Sequence, residues 1–159
     1  MFKKTLLLLI LISLSLTSFV QKYIHLKTYN IDSLLSVLPD QLGEERVNSL
    51  NNLAVSLCYE EFELAEQYAE EAMNLAKELN YQEGIAAAYR NFGQIRFYQD
   101  DYPDALKNDF ESLHIYEKLN NKYNIAALYS DIATLHFYAG NYEKAIEYGN
   151  IALDKFRER

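Results

Sequence analysis

Cysteine, proline, glycine and tryptophan are scarce or missing in this 159-residue chain, and each shortage removes a class of protein. The single Cys58 leaves no internal disulfide and no cysteine-cluster zinc site. A lone cysteine on an apolar helix face packs as a small hydrophobe. Two prolines and five glycines are few breakers, and with helix formers dominant and no tryptophan they argue for long helices with short connections. Basic charge is also short. Fifteen Lys and Arg face 23 Asp and Glu, for a formal net charge of −8, and no basic stripe interrupts the acidity. Such a surface repels phosphate backbones and anionic headgroups, so no nucleic acid partner is expected.

Catalytic signatures are missing as well. There is no phosphate-binding glycine loop and no nucleophile elbow. His25, His114 and His136 lie too far apart in sequence for a paired metal motif. His136, beside Phe137 on a helix, reads as packed or partly exposed, and His114 as surface. Asp100-Asp101-x-x-Asp104 lacks the glycine and terminal glutamate of a calcium loop. At a helix start these acids cap free N–H groups and complement the dipole. The expectation is a protein without cofactor, metal or enzymatic activity.

What is present is half hydrophobic, dominated by Leu, Ile, Ala and Tyr, and sized for one domain. Residues 1–21 read as an address. Lys3 and Lys4 precede an uncharged apolar run from Thr5 to Val20, the layout of a secretory signal. That run is shorter than the roughly 20 residues a spanning helix prefers. Ser15-Leu-Thr17 is a poor substitute for an A-x-A cleavage site, so residues 5–20 serve either as a cleaved signal or as an uncleaved membrane anchor. Both place the rest of the chain outside the cytoplasm. Residues 22–43 form a linker in which Ile31 to Leu38 suits a short capping helix before Pro39.

Residues 44–159 repeat. Ile85-Ala-Ala-Ala-Tyr89 and Ile125-Ala-Ala-Leu-Tyr129 align at a spacing of 40, as do Phe97-Tyr98 with Phe137-Tyr138 and Ala105-Leu106 with Ala145-Ile146. An earlier copy aligns Leu53-Ala54 with Phe92-Gly93 at 39 and Phe62 with Tyr102 at 40, which puts a one-residue deletion in its turn. Apolar residues step by three and four, the period of a helix face. The spacing predicts helices near 44–59, 61–79, 84–99, 102–120, 123–139 and 142–157, grouped as repeats 44–80, 84–121 and 123–157. Asp101 and Asn141 stand where N-caps belong, Pro103 fits a first turn, and Asn80, Asn120 and Asn121 mark helix ends. Ala54, Gly93 and Ala133 recur in the first helices, and Ala65, Ala105 and Ala145 in the second. Small residues there let paired axes approach near the lower end of about 8–10 Å.

The pattern Tyr89…Phe92-Gly93…Tyr102…Ala105…Ser112 resembles the tetratricopeptide repeat. It recurs as Tyr129…Ile132-Ala133…Tyr142…Ala145…Ala152 and more weakly as Leu50…Leu53-Ala54…Phe62…Ala65…Ala72. The period of 40 departs from the family's usual 34 and is similar to a long variant found in bacterial sensor and regulatory proteins. The resemblance implies an all-α, right-handed solenoid of three antiparallel helix pairs. It also implies that the first helices line a concave side that takes an extended peptide or protein.

Carried onto this chain, the peptide-binding candidates are Asn51, Val55, Arg90, Gln94, Tyr98, Ser130, Thr134 and Tyr138. The family's carboxylate clamp is not expected. Asn91 fits it, but Asn51 and Val55 occupy its first pair and Ala127 and Asp131 replace its basic residues. The leading functional expectation is an exported, protein-binding or peptide-binding scaffold. The alternative is the extracytoplasmic sensor portion of a signalling protein such as a histidine kinase or transcription regulator. A solenoid end without a polar cap, as at Ile146, Leu153 and Phe156, would leave an apolar strip for a partner, for further repeats or for self-association.

Overall fold

The computed structural model describes residues 31–158. The leader and anchor expected within residues 1–21 lie outside the described residues. The chain divides into two compact units, 1–39 and 40–159. In the first unit residues 31–37 are helical, where the short helix was expected. A 3-10 turn follows at Leu38–Asp40.

The second unit holds six helices among the described residues: α1 (Gly43–Leu57), α2 (Phe62–Glu78), α3 (Gln82–Tyr98), α4 (Tyr102–Lys118), α5 (Lys122–Tyr138) and α6 (Tyr142–Arg157). Every end falls within two residues of the position read from the spacing. Each helix packs most heavily on the partner of its own pair. Each pair then stacks on the next through α2 against α3 and α4 against α5, and α1 also touches α3. This is the expected solenoid of antiparallel pairs.

Local chemistry explains why the chain reverses at these points. After α2, α3, α4 and α5 one residue takes a left-handed conformation: Asn80 (φ 55°), Asp100 (φ 61°), Asn120 (φ 52°) and Gly140 (φ 77°). The next backbone N–H then donates to the carbonyl five residues back, as in Asp101 to Arg96 at 2.9 Å and Asn121 to Tyr116 at 3.0 Å. These bonds satisfy carbonyls that a helix end would leave bare. The side chain of Asp101 accepts from the Asp104 N–H at 3.3 Å, and Pro103 occupies the first turn behind it. Asn121 opens α5 rather than closing α4, because its Oδ1 accepts from the Asn124 N–H at 3.2 Å. Asn141 stands at the N-cap of α6, but its side chain makes no capping bond. The one-residue deletion shows as a different turn. α1 ends at Leu57, and the N–H groups of both Glu60 and Glu61 fold back onto its carbonyl.

Packing follows the small residues. Ala54, Ala65 and Ala105 are fully buried between helices. Leu50, Leu53, Ile95, Leu128 and Ile132 fill the space around them. Polar groups inside find partners within and between pairs: Ser112 Oγ of α4 donates to the Ala86 carbonyl of α3 at 2.8 Å, and Asn91 Nδ2 of α3 donates to Asn51 Oδ1 of α1 at 2.9 Å. In the third repeat Ala133 and Ala145 are only half-buried, because among the described residues no helix lies over that side of α6.

Gly93 is the tightest of the recurring small positions. A Cβ there would lie 2.3 Å from Asp109 Oδ1 and 3.3 Å from the Ala105 carbonyl oxygen. In the first repeat the equivalent residues are Ala54 and Ala69, a pair with room for a methyl on each side. Gly93→Ala should therefore lower stability by about 1–3 kcal/mol, and adding Asp109→Ala, which restores the first repeat's pairing, should recover most of the loss. Thermal melts of the single and double variants test this. An unchanged Tm for Gly93→Ala alone would show that α3 and α4 do not meet there.

Candidate functional site

The carboxyl-terminal halves of α1, α3 and α5 lie side by side and open a groove with a cavity of about 320 Å3. α1 and the turn after it supply Val55, Cys58 and Tyr59. α3 supplies Gly93, Gln94, Phe97 and Tyr98, and α5 supplies Asp131, Thr134 and Leu135. One residue reaches the groove from a second helix: Asp109 of α4, at the floor behind Gly93.

An aromatic ridge borders the cavity. Tyr59 and Tyr98 have ring centroids 6.0 Å apart, and Phe97 meets Tyr98 edge-on at 5.1 Å and Tyr138 edge-on at 5.2 Å. Such edge contacts hold the rings in fixed relative orientations. Tyr98 and Tyr138 keep about half their surface in solvent, so the ridge is presented rather than buried. Partial burial raises the Tyr98 hydroxyl above its ordinary value, with smaller contributions from Cys58, Tyr59 and Tyr138.

The floor is acidic and short of donors. Arg90 Nε donates to Asp131 Oδ2 at 2.8 Å, tying α3 to α5. Asp109 is 2% exposed, and among the described residues neither its Oδ1 nor the buried Oε1 of Gln94 has a hydrogen-bond partner. Burial, helped by the neighbouring Asp131 and opposed by Arg90, pushes the Asp109 carboxyl up to about 8. Asp131 is also raised by burial, against the pull of Arg90. Cys58 is a buried thiol whose Sγ donates to the Val55 carbonyl at 3.1 Å. Away from the groove, His136 is buried and stacks on Tyr148 at 5.3 Å. Desolvation lowers its basicity, with Lys144 adding to the effect. Among the described residues no three His, Cys, Asp or Glu side chains gather as a metal site, and no helix is long and apolar enough to cross a membrane.

The sequence-derived candidates therefore separate. Val55, Gln94, Tyr98 and Thr134 converge on the groove, and Tyr138 joins its ridge. Arg90 borders it only through its bond to Asp131. Asn51 does not face the groove: it is buried, donates to the Gly84 carbonyl at 3.2 Å and accepts from Asn91. The physical reason is that Gly84 lets α3 approach α1 closely, which encloses the amide. Ser130 is exposed but borders a different hollow of about 430 Å3, formed with Ala133, Phe137, Ala145 and Ile146 at the α5–α6 end.

Asp109 lies on a second helix, outside the first-helix face from which the sequence candidates were drawn. A signal for it exists. Its column reads Ala69, Asp109 and Gly149, while the column facing it reads Ala54, Gly93 and Ala133. The carboxyl and the missing methyl occur together, in the same repeat.

The Asp109 proton links stability to pH. The folded chain holds it up to about pH 8, whereas the carboxyl's ordinary value is 3.8. Asp109 thus takes nothing from stability below pH 3.8 and subtracts progressively as pH rises from there to about 8. Asp109→Asn removes this linkage, so the variant's Tm should exceed the parent's by more at about pH 9 than at about pH 4. Equal differences at both pH values, measured by circular dichroism, would mean the carboxyl is solvated.

Comparison with known proteins agrees with this architecture. The tetratricopeptide repeat profile matches residues 45–118 and again 84–158. Among solved structures, the TPR domain of Arabidopsis FLU superposes with a TM-score of 0.65 at 20% identity, covering 73% of this chain and 98% of that one. BtubC (BKLC) from P. vanneervenii gives 0.64 at 21% identity, over 73% of this chain and 48% of its own. At these identities the likeness is one of fold. Comparison with curated protein sequences finds no match. Tetratricopeptide domains are typically non-enzymatic modules for protein interaction. With its three helix pairs, its recurring small residues and a profile that matches most of its length, this chain belongs to the tetratricopeptide repeat family.

Proposed function

We propose that this protein is a binding scaffold that seats an extended segment of a partner protein or peptide in the groove formed by α1, α3 and α5. The observation that carries this reading is the convergence of one face from all three repeats on a single cavity. Val55, Gln94 and Thr134, at equivalent places in successive first helices, all line it. The half-exposed Tyr98 and Tyr138 beside it supply stiff amphipathic contact area, which suits interface cores. Nothing in the groove resembles a nucleophile with an adjacent base, so binding rather than turnover is the chemistry it supports.

A second reading is favoured by one further observation. Ile146 is 67% exposed, and Leu153, Phe156, Phe137 and Tyr142 are exposed with it on the α5–α6 end. A face of that kind would couple the repeats to an additional domain, as the sensor portion of a signalling protein requires. Photo-crosslinkers placed singly at Gln94, Ile146 and Glu70 separate the readings, Glu70 being an exposed position on α2. Discrete products from Gln94 alone support the groove scaffold. Products from Ile146 alone support the coupled sensor, and products from Glu70 alone would sink both.

We also propose that the repeats work outside the cytoplasm, on the strength of Lys3 and Lys4 preceding the uncharged run 5–20. A phosphatase that is active only after export, fused behind Arg159, should be active. An inactive fusion at full expression would contradict export.

A further inference from the structure

We propose that the groove recognises a cationic side chain, a lysine or arginine of the bound segment, with Asp109 Oδ1 and Gln94 Oε1 as its acceptors and the rings of Tyr59 and Tyr98 at its mouth. This rests on the groove being the peptide site and names what the site selects.

The groove floor holds unmet hydrogen-bond acceptors. Asp109 is almost wholly buried, yet among the described residues its Oδ1 meets no donor, and the buried Gln94 Oε1 is in the same condition. Buried acceptors are normally satisfied, and an unsatisfied one is costly to keep. Both residues line the same cavity. The nearby cation is already engaged: Arg90 Nε is bonded to Asp131 Oδ2 at 2.8 Å. Asp109 is therefore left without a counter-charge of its own.

Packing does not account for the carboxyl. The equivalent positions hold Ala69 and Gly149, and Gly93 replaces an alanine where the Asp109 carboxyl would otherwise clash. A smaller residue at 109 would pack and would leave no acceptor bare.

Alternative occupants fit worse. An anionic segment would meet Asp109 and Asp131 together. An apolar one would leave both acceptors unmet. A cation supplies the missing donors and gains from the faces of Tyr59 and Tyr98, since aromatic faces attract positive charge.

Proton linkage follows. The charged neighbours of Asp109 are Asp131 from α5 and Arg90 from α3, and Tyr98 from α3 with Cys58 and Tyr59 after α1 line the same cavity. In the empty groove the Asp109 carboxyl holds its proton up to about pH 8. A cation bound against it favours the carboxylate, so binding releases that proton, and affinity rises with pH up to that value.

The test is selection of randomised peptides displayed on phage against the full chain and, in parallel, against its Asp109→Asn and Tyr98→Ala variants. The expected pool shares one lysine or arginine position and loses that preference on Asp109→Asn. A selected peptide with that residue replaced by norleucine should bind at least about tenfold more weakly. It should also bind the parent more tightly at about pH 8 than at about pH 6. Peptides without a shared basic position, or with unchanged affinity for Asp109→Asn, overturn the cationic pocket. If their binding still falls on Tyr98→Ala, the groove scaffold survives that result. A pool indifferent to both substitutions overturns the pocket and the groove together.

Discussion

A single helix pair has two apolar faces and can hide only one of them, so the fold depends on pairs lying against one another closely enough to exclude water. That closeness is set by the smallest side chains at the crossings. Ala54, Ala65 and Ala105 have no exposed surface, and Gly93 has no room for even a methyl beside Asp109. Around these contacts Leu53, Ile95, Leu128 and Ile132 fill the gaps, and cross-pair bonds such as Asn91 to Asn51 fix the register. The same rule explains the third repeat. Ala133 and Ala145 are equivalent to buried residues elsewhere but are half-covered here, because the next layer of helix is missing among the described residues.

Against that regularity the groove is an exception. Most of the interior meets its own needs, while the groove floor holds acceptors that find no donor among the described residues. Close packing and polar dissatisfaction occur at one place, because the missing methyl at Gly93 is what admits the carboxyl of Asp109. Local rules broken together in this way commonly mark a site where stability has been given up for function. The aromatic ridge from Tyr59 through Phe97 to Tyr138 borders the same place, so polarity and stiff apolar surface are presented side by side.

Much of the architecture was legible in the residues because its causes are local. Helix periodicity, the left-handed residues at Asn80 and Asn120 and the cap at Asp101 act within a few positions, and the helix ends fell within two residues of expectation. The cap at Asn141 failed to form, and Asn121 took the start of one helix instead of the end of another. Such choices turn on side-chain reach, which spacing does not encode. Val55, Gln94, Tyr98 and Thr134 reached the groove because equivalent positions on stacked helices point the same way.

By itself, then, the sequence determined the repeat, the helices and the face that lines the groove, since each follows from neighbours a few residues apart or from recurrence at 40. Only the tertiary structure decided what that face is made of. Asn51 turned inward because α3 approaches α1 at Gly84, and Asp109 arrived from a second helix through the gap at Gly93. Whether a buried oxygen meets a donor depends on three helices converging to within a few ångströms, a relation among distant segments that no local pattern carries.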